Sequence, residues 1–107
     1  MGQVKLTVIY PRPRDIEAFE KQYNEVHVPL AVQRLSGKTK IVATKVLKSP
    51  QGAPSIHRIA EIYFPSMAAL EECLSSPGGQ GTAAHAVSIS SGGSPSFLAA
   101  EEEVYTF

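Results

Sequence analysis

The sequence predicts an α+β domain. Segments in which apolar residues alternate singly take turns with segments in which they recur at intervals of three and four. The segments come in the order strand, helix, strand, then strand, helix, strand. All of this fits within 107 residues, the size of a single domain spanning 1–107.

Residues 4–10 open the chain as a strand. Val4, Leu6, Val8 and Tyr10 alternate with Lys5, Thr7 and Ile9, and β-branched residues are frequent. Pro11 and Pro13 stop it, since proline cannot donate to a ladder. The spacing then becomes helical: Ile16, Phe19, Tyr23, Val26 and Leu30 fall on one predicted face, and Asp15 is placed to cap the first free N–H groups. Pro29 removes a hydrogen bond and disfavours helical geometry at Val28, so the helix is expected to kink or restart near His27 and run to about Leu35, where Ser36-Gly37 ends it.

Residues 40–48 read as a second strand, 49–55 as a proline- and glycine-bearing loop, and 56–64 as a third strand. Pro65-Ser66 opens a second helix, with Ser66 as cap and Met67, Leu70 and Leu74 on one face. Residues 75–81 read as a break, 82–90 as a short helical piece with Ala83, Ala84 and Val87 inward, and 91–96 as a loop. Residues 97–107 read as the last strand. Within it Glu101-Glu102-Glu103 is a charge run, with Glu102 facing away from the other two on a solvated edge.

The order β-α-β-β-α-β is the split βαβ, or ferredoxin-like, arrangement: an antiparallel four-stranded sheet with both helices on one face. Ala60, Ile62 and Phe64 share one face of the third strand, and Ile59, Glu61 and Tyr63 the other. A helix-free face carrying Ile9, Ile59 and Tyr63 is too apolar to be left in water. A second copy of the chain covers it most simply, which predicts a homodimer, a dimeric α+β barrel with an interior shared between two sheets.

Composition narrows the functional classes. Hydrophobic residues make up 43% and charged residues 19%, and ten basic side chains balance ten acidic ones. That balance, with Lys and Arg scattered, argues against nucleic acid as a partner. Nothing approaches the roughly 20 apolar residues of a membrane span, and the N-terminus lacks a secretory pattern. Gly2 leads directly into a strand and reads as no lipidation signal. The single cysteine, Cys73, forms no internal disulfide, and a reducing cytoplasm is the expected location.

Three stretches are similar to one known family. Val26-His27-Val28-Pro29-Leu30-Ala31 carries a His-x-Pro-Leu pattern at His27, Pro29 and Leu30. Ala60-Glu61-Ile62-Tyr63-Phe64 matches a small-Glu-x-aromatic-Phe strand. Ser76-Pro77-Gly78-Gly79-Gln80-Gly81-Thr82-Ala83-Ala84 is similar to a Ser-Pro-x-Gly-Gln-x-x-x-Ala stretch, offset by one glycine. Together they resemble the EthD family, named for ethyl tert-butyl ether degradation. The resemblance implies a ferredoxin-like fold and a dimer. It implies function only broadly, because members accompany ether-degradation systems and similar domains act as dehydratases or isomerases.

Each candidate residue has a structural and a functional reading. His27 either hydrogen-bonds a carbonyl at the helix kink or, facing a pocket, transfers protons near neutral pH; the resemblance places it at the pocket mouth. Glu61 is either ion-paired with Lys5 or Arg58, or a base in an apolar interior. Tyr63 either packs with its hydroxyl satisfied or orients a ligand oxygen, with Ile9 and Ile59 lining the same interior. His85 either lies on the surface or reaches the pocket. Tyr23 reads as core and His57 as an exposed strand-start histidine. No zinc spacing and no dinucleotide fingerprint is present, so neither a metal nor a cofactor is expected.

Three functions follow. The first is an accessory or small-molecule-binding protein of a catabolic pathway, taking a small apolar or aromatic ligand, as the resemblance implies. The second is a cofactor-independent isomerase or dehydratase using His27 as acid and base. The third is a cofactor-free monooxygenase of the dimeric-barrel type. An enzyme of the second kind needs His27 in a water-poor cavity beside another polar group, whereas a binder needs only the cavity.

Overall fold

A computed structural model describes residues 3–107; Met1 and Gly2, and with them the lipidation reading, lie outside the described residues. Strand β1 (Gln3–Pro11) leads to helix α1 (Ile16–Gln22), a π-helical turn (Tyr23–His27) and helix α2 (Val28–Arg34). Strands β2 (Lys40–Lys45) and β3 (Ile56–Phe64) follow, then α3 (Met67–Ser75), α4 (Pro77–Ile89) and β4 (Ser96–Glu102). The strands form one antiparallel sheet in the order β2-β3-β1-β4. The helices cover the face presented by Leu6, Val8, Tyr10, Ala60, Ile62 and Phe64, and these residues form the core. This is the ferredoxin-like architecture with an extra helix.

Asp15 caps α1 by accepting from the Ala18 N–H at 3.1 Å, and Ser66 caps α3 by accepting from Ala69. The kink expected near His27 is a π-turn: the Val28 N–H bonds to the Tyr23 carbonyl, five residues back. Pro29, just beyond, has no N–H with which to continue an ordinary ladder.

The turn changes which residues face inward. Phe19, Tyr23, His27, Ala31 and Leu35, each four apart, form the buried row. At 3.6 residues per turn a strict spacing of four drifts around the axis, and the wider π-turn brings the row back into line. Val26, expected inward, is 43% exposed.

The largest correction concerns residues 75–81. They form no break, because α4 starts at Pro77 and the glycines occupy its first turns. Ser76 caps it by accepting from the Gly79 N–H at 3.0 Å, and proline suits the first helical position. A Cβ at Gly78 would collide with the Arg34 carbonyl oxygen, and one at Gly79 with that of Cys73. Glycine is what lets α4 sit against the ends of α2 and α3. The earlier start resets the inward face to Gly79, Thr82 and Ala86, while Ala84 and Val87 point out.

Two strands are shorter than expected. β2 ends at Lys45, although the Val46 N–H still bonds to the His57 carbonyl at 2.9 Å. β4 ends at Glu102, and Val104, Tyr105 and Phe107 beyond it are exposed. In α3 the inward residues are Leu70 and Cys73, with Met67 largely exposed.

Candidate functional site

The six candidate residues fall on opposite sides of the sheet. β1 pairs with β3 so that Lys5 lies opposite Tyr63, Thr7 opposite Glu61 and Ile9 opposite Ile59. All of these side chains point to the helix-free face. There Lys5 is ion-paired with Glu61 and, at 3.1 Å, with Glu102. The Tyr63 hydroxyl donates to Glu102, and the Lys40 ammonium lies 4.2 Å from the Tyr63 ring centroid. The Tyr63 and Lys5 hydrogen bonds hold the Glu102 carboxyl below its usual range. Glu102, the last residue of the edge strand β4, thus stays on the sheet edge but is partly exposed and tied into a polar cluster toward one end of this face.

His27 and His85 meet on the other side of the sheet. His27 is the last residue of the π-turn and is 7% exposed. Its Nδ1 lies 2.9 Å from His85 Nδ1 on α4, and its Nε2 lies 3.2 Å from the Tyr10 hydroxyl on β1. The two imidazoles are within 11° of parallel with centroids 5.1 Å apart. That separation is close to the 2.9 Å bond plus the two ring radii, so the rings lie edge to edge, as an in-plane N–H···N bond requires. One proton is shared between the two facing nitrogens, and the tautomer of each ring follows from the other.

Burial, and secondarily the charge His85 would carry, push the His27 pKa down to about 4, so the ring is neutral at pH 7. Burial raises the Tyr10 pKa, keeping its hydroxyl protonated.

These groups border a cavity of about 50 Å³ between the sheet and helices α2 and α4, partly open to solvent. Its walls include Leu6, Val8, Ala31, Ala60, Ile62, Ala83, Ala86 and Phe97, and its polar lining side chains are Tyr10, Tyr23, His27 and Thr82. The Thr82 hydroxyl is committed to the Gly78 carbonyl at 2.7 Å. Both His27 ring nitrogens are engaged, by Tyr10 and His85, so the Tyr10 and Tyr23 hydroxyls are the groups placed to meet a ligand. The volume is well below the several hundred Å³ of a drug-sized pocket. It suits a compact ligand, no larger than about a single ring.

Sequence periodicity reads Tyr10 and Tyr23 only as strand and core residues. The signal for a site was available in part, as a row of Phe19, Tyr23 and His27 spaced by four. His57, read as exposed, is buried: its Nε2 lies 3.0 Å from the Glu20 carboxylate, which also receives two hydrogen bonds from Arg58. Arg58 and His57 lower the Glu20 pKa to about 2, and the Arg58 guanidinium packs over Tyr23 at 4.7 Å. This network clamps α1 to β3 and supports the wall behind the cavity. Among the described residues no group of three His, Cys, Asp or Glu side chains is placed to hold a metal ion, and no helix is long and apolar enough to cross a membrane.

Fold and site together define a ferredoxin-like domain with a histidine pair at a helix-side cavity. Residues 13–88 match the EthD domain. The chain is 34% identical over 100 residues to an uncharacterised 11.0 kDa protein from the thcB–thcC intergenic region of Rhodococcus erythropolis, covering 94% of this chain and 96% of that one. The chain belongs to the EthD family. The crystal structure of an ethyl tert-butyl ether degradation family protein from Bacillus halodurans superposes with a TM-score of 0.87 at 25% identity, over 94% of this chain and 99% of that one. A dimeric ferredoxin-like protein of unknown function from Bacteroides fragilis superposes with a TM-score of 0.67 at 15% identity, over 95% and 98% of the two chains.

Proposed function

We propose that this chain is a homodimeric, cytoplasmic protein of a catabolic pathway. Its helix-side cavity binds a small apolar molecule bearing an oxygen function, and Tyr10 and His27 move a proton at that oxygen. The observation that carries this reading is the placement of a neutral, buried His27 between Tyr10 and His85 in the wall of an otherwise apolar cavity. A cavity alone serves a binder. A histidine hydrogen-bonded on both ring nitrogens at such a cavity suits isomerisation or dehydration, in which an oxygen gains or loses a proton. The family's link to ether degradation supports the catabolic setting.

The dimer reading rests on the helix-free face, where Leu98 is 50% exposed beside the half-buried Ile9, Val42 and Ile59, and on the dimeric relative of like fold. Glu61 and Tyr63 lie on that face, across the sheet from His27.

Phenol and cyclohexanone serve as probes, followed by thermal shift and by NMR shifts of the His27 ring. Binding to the wild type and its loss in Ala83→Phe, which fills the cavity, is the expected result. For any related compound that is converted, His27→Ala is expected to retain binding and lose turnover by about a hundredfold or more. Binding without conversion favours the accessory-binder reading, and absence of binding by a panel of such compounds overturns the cavity as the ligand site.

A further inference from the structure

His85 touches two compartments. Through Nδ1 it meets His27 at the cavity wall. It also lines an open groove on the outer surface with Arg14, Asp15, Gln22 and Ser88. We infer that Tyr10, His27 and His85 form a proton relay joining the apolar cavity to that groove, with Tyr10 handing the proton to the ligand and His85 taking its replacement from solvent. The inference deepens the proposed proton chemistry and rests on it for the identity of the acceptor.

The hydrogen-bonded chain has two arrangements with the same number of protons, which differ in where each proton sits. In the first, His85 carries its proton on Nδ1 and donates to His27 Nδ1. His27 carries its proton on Nε2 and donates to the Tyr10 oxygen, which leaves the Tyr10 O–H free to point into the cavity. When Tyr10 gives that proton to a ligand oxygen, its O–H is remade with the His27 Nε2 proton, His27 Nδ1 takes the His85 Nδ1 proton, and His85 Nε2 takes one from water. The second arrangement results, with the Tyr10 O–H directed at His27 Nε2, the His27 proton on Nδ1 and the His85 proton on Nε2. One proton has entered from the groove, one has reached the ligand, and neither imidazole has held two protons at rest. The reverse sequence removes a proton. A neutral wire of this kind suits a site where burial makes a lasting imidazolium costly. It also explains why His27, with both ring nitrogens occupied, need not contact the ligand itself.

The charged groups beside the outer end are Arg14 and Asp15, and Asp15 is engaged in capping α1. Tyr23 flanks His27 on the inner side, ring centroids 5.8 Å apart.

Ring-nitrogen NMR of the full chain tests the relay without any substrate. The wild type is expected to show opposite tautomers at His27 and His85, and matching tautomers overturn the relay. Solvent exchange of the His27 ring proton is expected to slow at least tenfold in His85→Phe and in His85→Gln. The glutamine variant is the sharper arm: its amide can still hydrogen-bond His27 but cannot pass a proton from one end to the other. Exchange in His85→Gln as fast as in the wild type means that His85 only positions His27, and the relay falls. Ala83→Phe separates the two ideas, since it blocks ligand binding and leaves the exchange pattern to report on the relay alone.

Discussion

His27 is held neutral by its surroundings, and this ties the cavity to stability. A histidine whose folded pKa lies near 4 binds fewer protons at mild acidity than the same residue in the unfolded chain, whose pKa is about 6.5. The unfolded state is therefore favoured as pH falls from about 6.5 towards 4, by about 2 kcal/mol once partial solvent screening is allowed for. Glu20 acts lower down. Its folded pKa of about 2 lies below the ordinary carboxylate value of 4.5, so its contribution is fully present above pH 4.5 and is lost as pH falls towards 2. Urea midpoints measured from pH 7 to pH 2.5 should fall in two stages. His27→Gln is expected to flatten the upper stage and leave the lower one, and Glu20→Gln is expected to do the converse while lowering stability at neutral pH. A single stage centred below pH 4 in the wild type would contradict the burial of His27.

At the scale of elements, the form of the kink near His27 and the early start of α4 both concern helices whose local signals compete with packing. Pro29 and the four-spaced row Phe19, Tyr23, His27 produce a π-turn, and that turn aims His27 at the cavity. The glycines at 78 and 79 carry a poor helix propensity, which reads as a break, yet the close approach of α4 to α2 and α3 requires residues without a Cβ there. The same run contains a control. Gly81 has open space around its Cβ position. Gly79→Ala is expected to destabilise the fold by about 2 kcal/mol through overpacking, whereas Gly81→Ala is expected to stabilise it by about 0.5 kcal/mol through helix propensity. Chemical denaturation of the two variants side by side checks both signs. Destabilisation by both would mean that α4 is held by something other than this close contact.

At the scale of the whole molecule, the sheet separates the side proposed for chemistry from the side proposed for assembly. The helix side holds the histidine pair and the cavity. The helix-free side carries Ile9, Val42, Ile59 and Leu98 around the Lys5, Glu61, Glu102 and Tyr63 cluster. Ion pairs of this kind contribute little when exposed and are costly to break when buried, so such a cluster suits fixing the register of two faces better than driving their union. Ile59→Lys adds a charge to this face without touching the cavity. If the proposed dimer uses this face, the variant is expected to be monomeric in native mass spectrometry, where the wild type is dimeric, while probe binding at the helix-side cavity persists. A variant that stays dimeric would place the interface elsewhere.

Much of the architecture was legible in the sequence because it follows from local rules. Strand alternation located β1 and β3 and assigned Ile59, Glu61 and Tyr63 to one face, and single polar residues before apolar runs marked Asp15 and Ser66 as caps. Family-like patterns around His27 and in β3 pointed to the same fold. The sequence alone could not say which candidates share a site, since alternation places a residue on a face but not beside a partner 58 positions away, as His27 and His85 are. That depended on the start of α4, on the extra residue in the π-turn, and on Tyr10 reaching across from β1. Each is a consequence of helices settling into contact over the sheet, where excluded volume and the need to satisfy buried polar atoms outweigh the propensity of any one segment.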